Sequence, residues 1–180
     1  MEEAVAAADA AIIVVSGKSG IQVGTQKAWE LCEKYNLPRM FFVTEMDMDD
    51  VSYRQVVEDL TELYGKKIAP LHMPIREDGK FVGYVNIVKQ AGRRYIERGQ
   101  KKECPVPEYL EEYLEKYHET LMESVAEISE EFMDRICRRS LSVAEVSAAL
   151  KTNISDGSIV PVCMGSAINI QGVANLLDDI

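Results

Sequence analysis

Three short apolar runs, each followed by a stretch with helical periodicity, constrain the fold of this chain more than any other feature. The runs occupy residues 10–15, 40–43 and 159–164, and none of them contains a charged side chain. A strand that faces water on one side alternates apolar and polar residues, whereas a continuous apolar run is typical of a strand covered on both faces in a parallel sheet. The sequence therefore predicts an α/β fold built on parallel strands.

Helices are predicted after each run, over residues 25–35, 52–64 and 172–180. Apolar residues recur at helical spacing in each of them, and Gly65 suits the C-terminal cap of the second helix. Three adjacent parallel strands would leave a broad sheet edge unpaired, and no capping residue follows the last helix at Ile180. We therefore expect the chain to be a fragment of a longer doubly wound domain.

Residues 68–157 interrupt this alternation of strand and helix. Two strand-like runs, residues 68–75 and 80–88, flank a turn and predict a β-hairpin. The segment that follows is rich in cations: Arg93, Arg94, Arg98, Lys101 and Lys102. A strip that binds nucleic acid is one interpretation, but only one aromatic residue is interleaved, which favours a solvated edge strand or loop.

Two helices are predicted in the second half of the interruption. Pro107 begins a helix that ends at about Arg138, and a capping box formed by Ser142 and Glu145 begins a shorter helix that ends near Leu150. The interruption is therefore predicted to be a small inserted α+β subdomain. The predicted division of the chain is residues 1–67 and 158–180 for the parallel domain and 68–157 for the insertion.

The long helix carries an acidic face. Its glutamates include Glu108, Glu112, Glu115 and Glu119, which are spaced four, three and four residues apart and so lie on one side. Like charges at this spacing repel each other by a few tenths of a kcal/mol per pair. Two interpretations stay open: a solvated surface, or a docking face for a basic partner.

Composition excludes several classes of protein. The formal net charge of −10 argues against a surface that coats nucleic acid and leaves basic proteins as partners. No apolar stretch approaches the ~20 residues of a membrane helix. The cysteines, Cys32, Cys104, Cys137 and Cys163, are far apart and form no metal-binding motif, which is typical of reduced thiols in a cytoplasmic protein.

The tripeptide Gly17-Lys18-Ser19 matches the end of the phosphate-loop pattern G-x-x-x-x-G-K-[ST]. That loop needs an opening glycine because its backbone amides close tightly around the phosphates. Ile12 occupies the opening position, and no glycine precedes it. A polar turn after a strand is therefore the favoured interpretation, and a nucleotide-binding enzyme built on Lys18 is a distant alternative.

Two strand ends carry the residues that point to a family. Residues 39–49, RMFFVTEMDMD, end in a carboxylate, and residues 159–168, IVPVCMGSAI, end in Gly-Ser-Ala-Ile. These stretches belong to a series of segments that follow one another along nearly the whole chain. The series is AADAAIIVVSGKSGIQVGTQKAWELCEKYNLPRMFFV, GKFVGYVNIV, the acidic helix and SIVPVCMGSAINIQGVANLLDDI. In this ordered series the chain resembles the translation elongation factor G family.

The resemblance implies the C-terminal part of a P-loop-type GTPase domain, interrupted by the insertion of this factor. The guanine-binding motif N-K-x-D would fall on Thr44, Glu45 and Asp47, of which only Asp47 matches, and the S-A motif on Ser166 and Ala167. The departures at Thr44 and Glu45 predict weaker base recognition. The phosphate loop and the catalytic residues would precede this chain. GTP or GDP with Mg²⁺ is therefore expected only in the intact protein, with no catalytic or metal-binding residue here.

The resemblance also leaves two functions open, of which the first is favoured because Asp47, Ser166 and Ala167 match the family. The first is a GTP-dependent translation factor that acts on the ribosome and contacts the ribosomal stalk protein through Glu108, Glu112, Glu115 and Glu119. The second is a divergent paralogue that binds the ribosome or a protein without depending on GTP. Neither function predicts direct binding of nucleic acid or of a membrane by this chain.

Overall fold

The computed structural model describes residues 2–96, 100–126 and 142–179. In chain order the elements are α1 (Glu2–Ala6), β1 (Ala11–Ser16), α2 (Val23–Lys34), β2 (Arg39–Thr44), α3 (Tyr53–Tyr64), β3 (Ile68–Pro70), β4 (His72–Glu77), β5 (Lys80–Asn86), β6 (Ala91–Tyr95), β7 (Lys101–Cys104), α4 (Glu108–Ala126), α5 (Val143–Ser155), β8 (Val160–Met164) and α6 (Val173–Asp179).

A four-stranded parallel sheet in the order β1-β2-β8-β3 forms the first layer, which confirms the predicted α/β fold. Phe41 and Val43 of β2 are completely buried, and so are Val160 and Val162 of β8. Trp29 of α2 stacks on Phe41 with ring centroids 5.7 Å apart, which anchors that helix on the sheet. The apolar runs of β2 and β8 therefore mark strands covered on both faces.

The strand β1 departs from this expectation. It is an edge strand, and Ile12 and Val14 expose 42% and 59% of their surface, whereas Ile13 and Val15 on the other face are buried. Leu176 of α6 packs with residues of β2 and β8. Helix α6 therefore covers the middle of the sheet and leaves this face of β1 exposed. A continuous apolar run thus identified the strand correctly but not the exposure of its second face.

One strand of this sheet was assigned wrongly from the sequence. Residues 68–75, predicted as one arm of a hairpin, form two strands that belong to different sheets. Ile68 and Pro70 of β3 pair in parallel with Val160 and Val162 of β8, and only β4 enters the hairpin. The backbone N–H of Leu71, between the two strands, still donates to the carbonyl oxygen of Val162 at 3.1 Å. The limits of the inserted subdomain stay a prediction.

The second sheet is antiparallel, with the order β4-β5-β6-β7. Asp78 and Gly79 form the predicted turn between β4 and β5, and both have positive φ angles. The basic segment predicted as an edge strand or loop is instead two strands. β6 lies inside the sheet between β5 and β7, and of these two basic strands β7 forms an edge. Arg98 lies outside the described residues.

Helices α4 and α5 cover the apolar face of the antiparallel sheet. Leu114 and Leu121 of α4 and Leu150 of α5 pack in one buried cluster with Val85 of β5. The predicted extension of α4 to Arg138 lies outside the described residues. The capping box is confirmed, since Ser142 Oγ accepts from Glu145 N at 3.3 Å and Ser142 N donates to Glu145 Oε2 at 2.9 Å.

The end of α5 was predicted too early. Helix α5 continues to Ser155, past the predicted end near Leu150. It ends where Asp156 forms its C-cap and Gly157 adopts a φ of +79°, a conformation that favours glycine. The last turn of α5 carries few apolar residues, but Asn153 is buried there and Ile154 packs against the same buried cluster as Leu150.

The cysteines in the described part of the chain form no disulfide bond: Cys32, Cys104 and Cys163. Cys137 lies outside the described residues. Burial raises the pKa of the Cys32 thiol, which keeps that side chain protonated. Among the residues described, no helix has both the length and the apolar character needed to cross a membrane.

Candidate functional site

The parallel sheet brings three loops to one edge because its strands all end in the same direction. Ser16 at the end of β1 pairs with Thr44 at the end of β2, and Val43 pairs with Met164 at the end of β8. In open parallel sheets this carboxyl edge is where ligands bind. The residues predicted to recognise a base, Thr44, Glu45, Asp47, Ser166 and Ala167, all lie at or just beyond it.

The loop after β2 is fixed by a buried anchor. Met46 is completely buried, and its carbonyl oxygen accepts from Arg76 Nη2 at 3.0 Å. Glu45 adopts a φ of +64°, and its carbonyl oxygen accepts from the backbone N–H of Met48 at 3.0 Å. Between the buried Met46 and the exposed Met48, Asp47 is half-buried at the surface of the loop. The fold therefore holds the Asp47 backbone in place at the sheet edge.

The Glu45 side chain has a partner that the sequence did not reveal. Its carboxylate oxygen Oε2 accepts a hydrogen bond from Ser16 Oγ, at the end of the neighbouring strand β1. Glu45 is therefore held toward the loop after β1. A negative charge therefore lies between the loop after β1 and the loop after β2. The sequence signal for this contact is weak, because Ser16 follows an apolar run as many surface residues do.

The loop after β8 is closed by hydrogen bonds at its base. The backbone of Ser166 pairs with that of Gln171 in both directions, at 2.8 and 3.0 Å, and Ser166 Oγ accepts from Asn169 N at 3.2 Å. Ser166 is completely buried, whereas the following Ala167 is exposed. Burial of the serine thus leaves the backbone of Ala167 at the surface of the loop.

The loops after β2 and β8 are bonded directly to each other. The backbone N–H of Met46 donates to the carbonyl oxygen of Gly165 at 3.2 Å, and Gly165 N donates to the carbonyl oxygen of Val43 at 2.9 Å. A Cβ on Gly165 would lie 2.3 Å from the carbonyl oxygen of Gln171, which only glycine avoids. Asp47 and Ala167 therefore stand on two loops with a shared backbone connection.

The Gly17-Lys18-Ser19 loop connects β1 to α2, in agreement with the polar turn that the sequence favours. Gly17 is buried, its N–H donates to the carbonyl oxygen of Thr44 at 3.0 Å, and a Cβ there would lie 2.8 Å from that oxygen. The loop turns back at once, because Gly20 N donates to the carbonyl oxygen of Ser16 at 2.9 Å. The Gly17 amide thus already donates its hydrogen bond to β2, while the Lys18 side chain is exposed. This geometry is a packed turn.

The chemistry available at this edge suits a base better than a phosphate. The Asp47 carboxylate accepts hydrogen bonds, and a backbone amide such as that of Ala167 donates one. Carboxylates, including Asp49 and Asp50, surround the loop after β2 and would repel phosphate. Within the described ranges, no group of three or more histidine, cysteine, aspartate or glutamate side chains is placed to hold a metal ion.

The acidic face lies on a different part of the molecule. Glu108, Glu112, Glu115 and Glu119 are all exposed on α4, and none of the ion pairs between described residues involves them. The opposite side of α4 packs on the antiparallel sheet through Leu114 and Leu121. The structure therefore groups the base-recognition candidates at the sheet edge and keeps the acidic face apart from them.

Comparisons with known proteins agree with this architecture. Residues 1–180 match the family described as the elongation factor Tu GTP binding domain. The elongation factor G proteins of Chlamydia trachomatis serovar D and serovar A are each 31% identical over 99% of this chain. A crystal structure of a Thermus thermophilus protein superimposes with a TM-score of 0.88, at 31% identity, covering 98% of this chain and 26% of that one.

The chain spans only 27% of the length of the two curated relatives. Its likeness to them nevertheless runs through both sheets and through the loops at the carboxyl edge. The resemblance to elongation factor G drawn from the sequence is thereby confirmed, and the chain belongs to the elongation factor Tu GTP-binding domain family.

Proposed function

We propose that this chain is the base-recognition side of an elongation factor G-like translation factor, which binds GTP or GDP with Mg²⁺ and acts on the ribosome in the cytoplasm. The observation that carries the proposal is the hydrogen bond between Met46 N and the Gly165 carbonyl. It joins the loop bearing Asp47 to the loop bearing Ala167, which are the two loops that would clasp a guanine base from its two hydrogen-bonding edges.

Each residue of the clasp has a role that its chemistry supports. The Asp47 carboxylate would accept from the ring N–H and the exocyclic amine of guanine, and the Ala167 amide would donate to the base oxygen. Ser166, completely buried, would fix the loop that carries Ala167. Thr44 lacks the side-chain amide of asparagine, and Glu45 lacks the long cationic stem of lysine, so both departures weaken recognition.

In this proposal, other parts of the intact protein bind the phosphates and the Mg²⁺ ion. Phosphate contacts supply much of the affinity for a nucleotide. Calorimetry of the chain alone with Mg-GTP is therefore expected to show no binding stronger than millimolar. Micromolar binding that is lost in Lys18→Ala would contradict this assignment and restore Lys18 as a phosphate ligand.

The test of the base site is the double substitution Thr44→Asn with Glu45→Lys in the intact protein. Hydrogen bonds to a charged group contribute about 1.5–3 kcal/mol, so restoring the two family residues should tighten GTP binding by about tenfold or more. Binding of ATP should change much less, because the restored contacts are made to guanine.

Glu45→Lys also removes the hydrogen bond from Ser16, so a control must separate the two effects. Ser16→Ala removes the same bond and leaves Glu45 in place. If Ser16→Ala alone tightens GTP binding as much as the double substitution does, the gain comes from a freed loop. If neither variant changes the affinity, Glu45 does not lie beside the base, and the assignment of this loop is wrong.

A second function, a ribosome- or protein-binding module without GTP dependence, is favoured by one observation. The Glu45 carboxylate, held by Ser16, places a negative charge where the family has a positive one. The sequence of the intact protein before this chain discriminates between the two functions. An intact G-x-x-x-x-G-K-[ST] loop supports the GTP-dependent factor, and a degraded loop supports the module.

A further inference from the structure

The antiparallel sheet has a second face that the helices α4 and α5 do not cover. A cavity of about 300 Å³ lies between this face and the last helix, α6. Its lining comes from β4, β5, β6 and β7, from Lys89 on the turn between β5 and β6, and from Asn175 and Asp178 of α6. None of these residues belongs to the candidate base site or to the acidic face. The cavity is therefore a separate feature of the molecule.

Buried polar side chains form the floor of this cavity. His72 and Asn175 expose 4% and 7% of their surface, and the ring of His72 meets that of Tyr84 edge-on at 4.9 Å. The Tyr84 hydroxyl donates to Asn175 Oδ1 at 3.2 Å, and the Asn86 amide donates to His72 Nε2 at 3.2 Å. Because Nε2 accepts this bond, the imidazole is neutral. The floor is thus preorganised and presents several polar groups.

Cations surround this floor. Lys101 donates to Asn175 Oδ1, and Lys89 stands on a turn fixed by the bond from Lys89 N to Asn86 Oδ1 at 2.8 Å. Arg93 also lines the cavity and pairs with Glu103 at 2.6 Å. Burial is the main cause that lowers the pKa of His72 to about 4, and the charges of Lys101 and Lys89 lower it further. The positive charges of Lys101 and Lys89 therefore act on the floor of the cavity.

We propose that this cavity binds a small phosphorylated anion, such as inorganic phosphate, pyrophosphate or a short phosphate ester. The side chains of Lys89, Arg93 and Lys101 line one cavity with this polar floor, and ammonium and guanidinium groups are the donors that phosphate oxygens require. The volume stands at the lower end of the range of ligand pockets, about 300–1,000 Å³, which fits a small ester better than a whole nucleotide.

The charge of the rest of the chain makes this site selective. The formal net charge is −10, so anions are repelled from most of the surface. Asp178 on the rim, and Glu103 through its pairing with Arg93, reduce the positive charge. They favour an anion that reaches Lys89 and Lys101 over a long polyanion that must also pass the rim.

The experiment is an NMR titration of the full 180-residue chain with sodium pyrophosphate at constant ionic strength. Saturable shifts are expected at the His72 ring and at the backbone amides of β5 and β6. Lys89→Gln and Lys101→Gln should each raise the Kd by about tenfold. Lys102→Gln is the matched control: it is the neighbouring exposed lysine of β7, does not line the cavity, and should leave the Kd unchanged.

Three outcomes would overturn the proposal. Shifts that do not saturate would show only general screening by the anion. A loss of affinity in Lys102→Gln equal to that in Lys89→Gln would show a diffuse charge effect. Tighter binding of a short single-stranded RNA at the same resonances would assign the cavity to a nucleic-acid surface. Lys89 is exposed on a turn, so Lys89→Gln keeps the test valid if Lys101→Gln unfolds the sheet.

Discussion

The two sheets of this molecule use their side chains in different ways. In the parallel sheet, β2 is buried along almost its whole length and β8 along all of it, whereas β6 and β7 of the antiparallel sheet are mostly half-buried or exposed. A strand buried on both faces has no side chain left for polar chemistry, so the candidate site of the parallel sheet lies in loops beyond the strand ends. One face of the antiparallel sheet carries polar groups beside buried aromatic side chains, and the cavity lies on that face.

The two sheets nevertheless share a core. Phe81 and Tyr84 of β5 pack in the same buried cluster as Phe41 and Trp29 of the parallel layer. Buried area that is continuous between two layers couples their stability. The comparison therefore predicts different chemistry in the two sheets but a single unfolding transition.

Phe41→Ala should have the largest effect and tests this shared core. Phe41 is completely buried and stacks near Trp29 and Tyr64. Replacing a buried phenylalanine by alanine costs about 3–5 kcal/mol, so the free energy of unfolding should fall by that amount. Urea denaturation, followed by Trp29 fluorescence and by far-ultraviolet circular dichroism, measures the loss.

The two signals report on different regions. Trp29 lies in the parallel layer, whereas the circular dichroism includes α4 and α5. Coincident transitions in the original chain and in Phe41→Ala would support one cooperative unit. A helical signal that persists after the Trp29 transition would show that the antiparallel sheet and its helices unfold separately.

His72 should make the polar face sensitive to pH. Its folded pKa is about 4, below the 6.5 of an unperturbed histidine, so the unfolded chain binds a proton between these values and the folded chain does not. Stability is therefore present above pH 6.5 and is lost as the pH falls toward 4. Between pH 6.5 and 5 the loss should be about 1.5 kcal/mol, measured by urea denaturation at each pH.

A matched pair of variants identifies the group responsible for this loss. His72→Gln should remove most of the slope between pH 6.5 and 5, and His118→Gln should retain it. His118 is half-buried on α4, where its Nδ1 lies 3.0 Å from the carbonyl oxygen of Ile87 on the apolar side of the antiparallel sheet. An unchanged slope in His72→Gln would show that another group causes the pH dependence.

Ser142→Ala should have a smaller effect, confined to the helix-covered face of the antiparallel sheet. Ser142 Oγ accepts from Glu145 N, and loss of such a cap costs about 1 kcal/mol. Hydrogen exchange of the first amides of α5 should accelerate with it. Ser155→Ala, an exposed change in the last turn of the same helix, should stay within about 0.5 kcal/mol; an equal loss there would show that the cap is not the cause.

The acidic face of α4 should contribute least to stability. Substitutions there test a binding function that is separate from the packing of the fold. Changing Glu112 and Glu115 to lysine should alter the free energy of unfolding by less than about 0.5 kcal/mol, since both side chains are exposed. The new lysine at 115 lies between Glu111 and Glu119, which favours the helix. We propose that the same variant weakens binding to the C-terminal domain of the ribosomal stalk protein.

NMR titration with that stalk domain at low and high salt measures the effect. Binding through exposed charges should be weak and should fall as salt increases. A variant with Glu30→Lys and Glu62→Lys has the same net charge but changes exposed positions of α2 and α3. If this control weakens binding equally, or if salt has no effect, the α4 face is only a solvated surface.

Local signals in the sequence determined much of this protein. Continuous apolar runs predicted the parallel strands β1, β2 and β8, although only β2 and β8 lie in the middle of the sheet, where a strand must be apolar on both faces. Helix ends were predictable where a side chain or glycine bonds within a few residues, as Ser142 does with Glu145 and Gly65 does with Thr61. The ordered series of motifs also identified the family.

Only the tertiary structure decided which segments pair and which loops meet. The short β3 looks like part of a hairpin in sequence, but it joins β8, which comes much later in the chain. The bond between Met46 and Gly165, the contact between Ser16 and Glu45, and the cavity that joins His72 to Asn175 all link distant segments. Periodicity reports on the neighbours of a residue along one element, whereas these contacts depend on how separate elements pack.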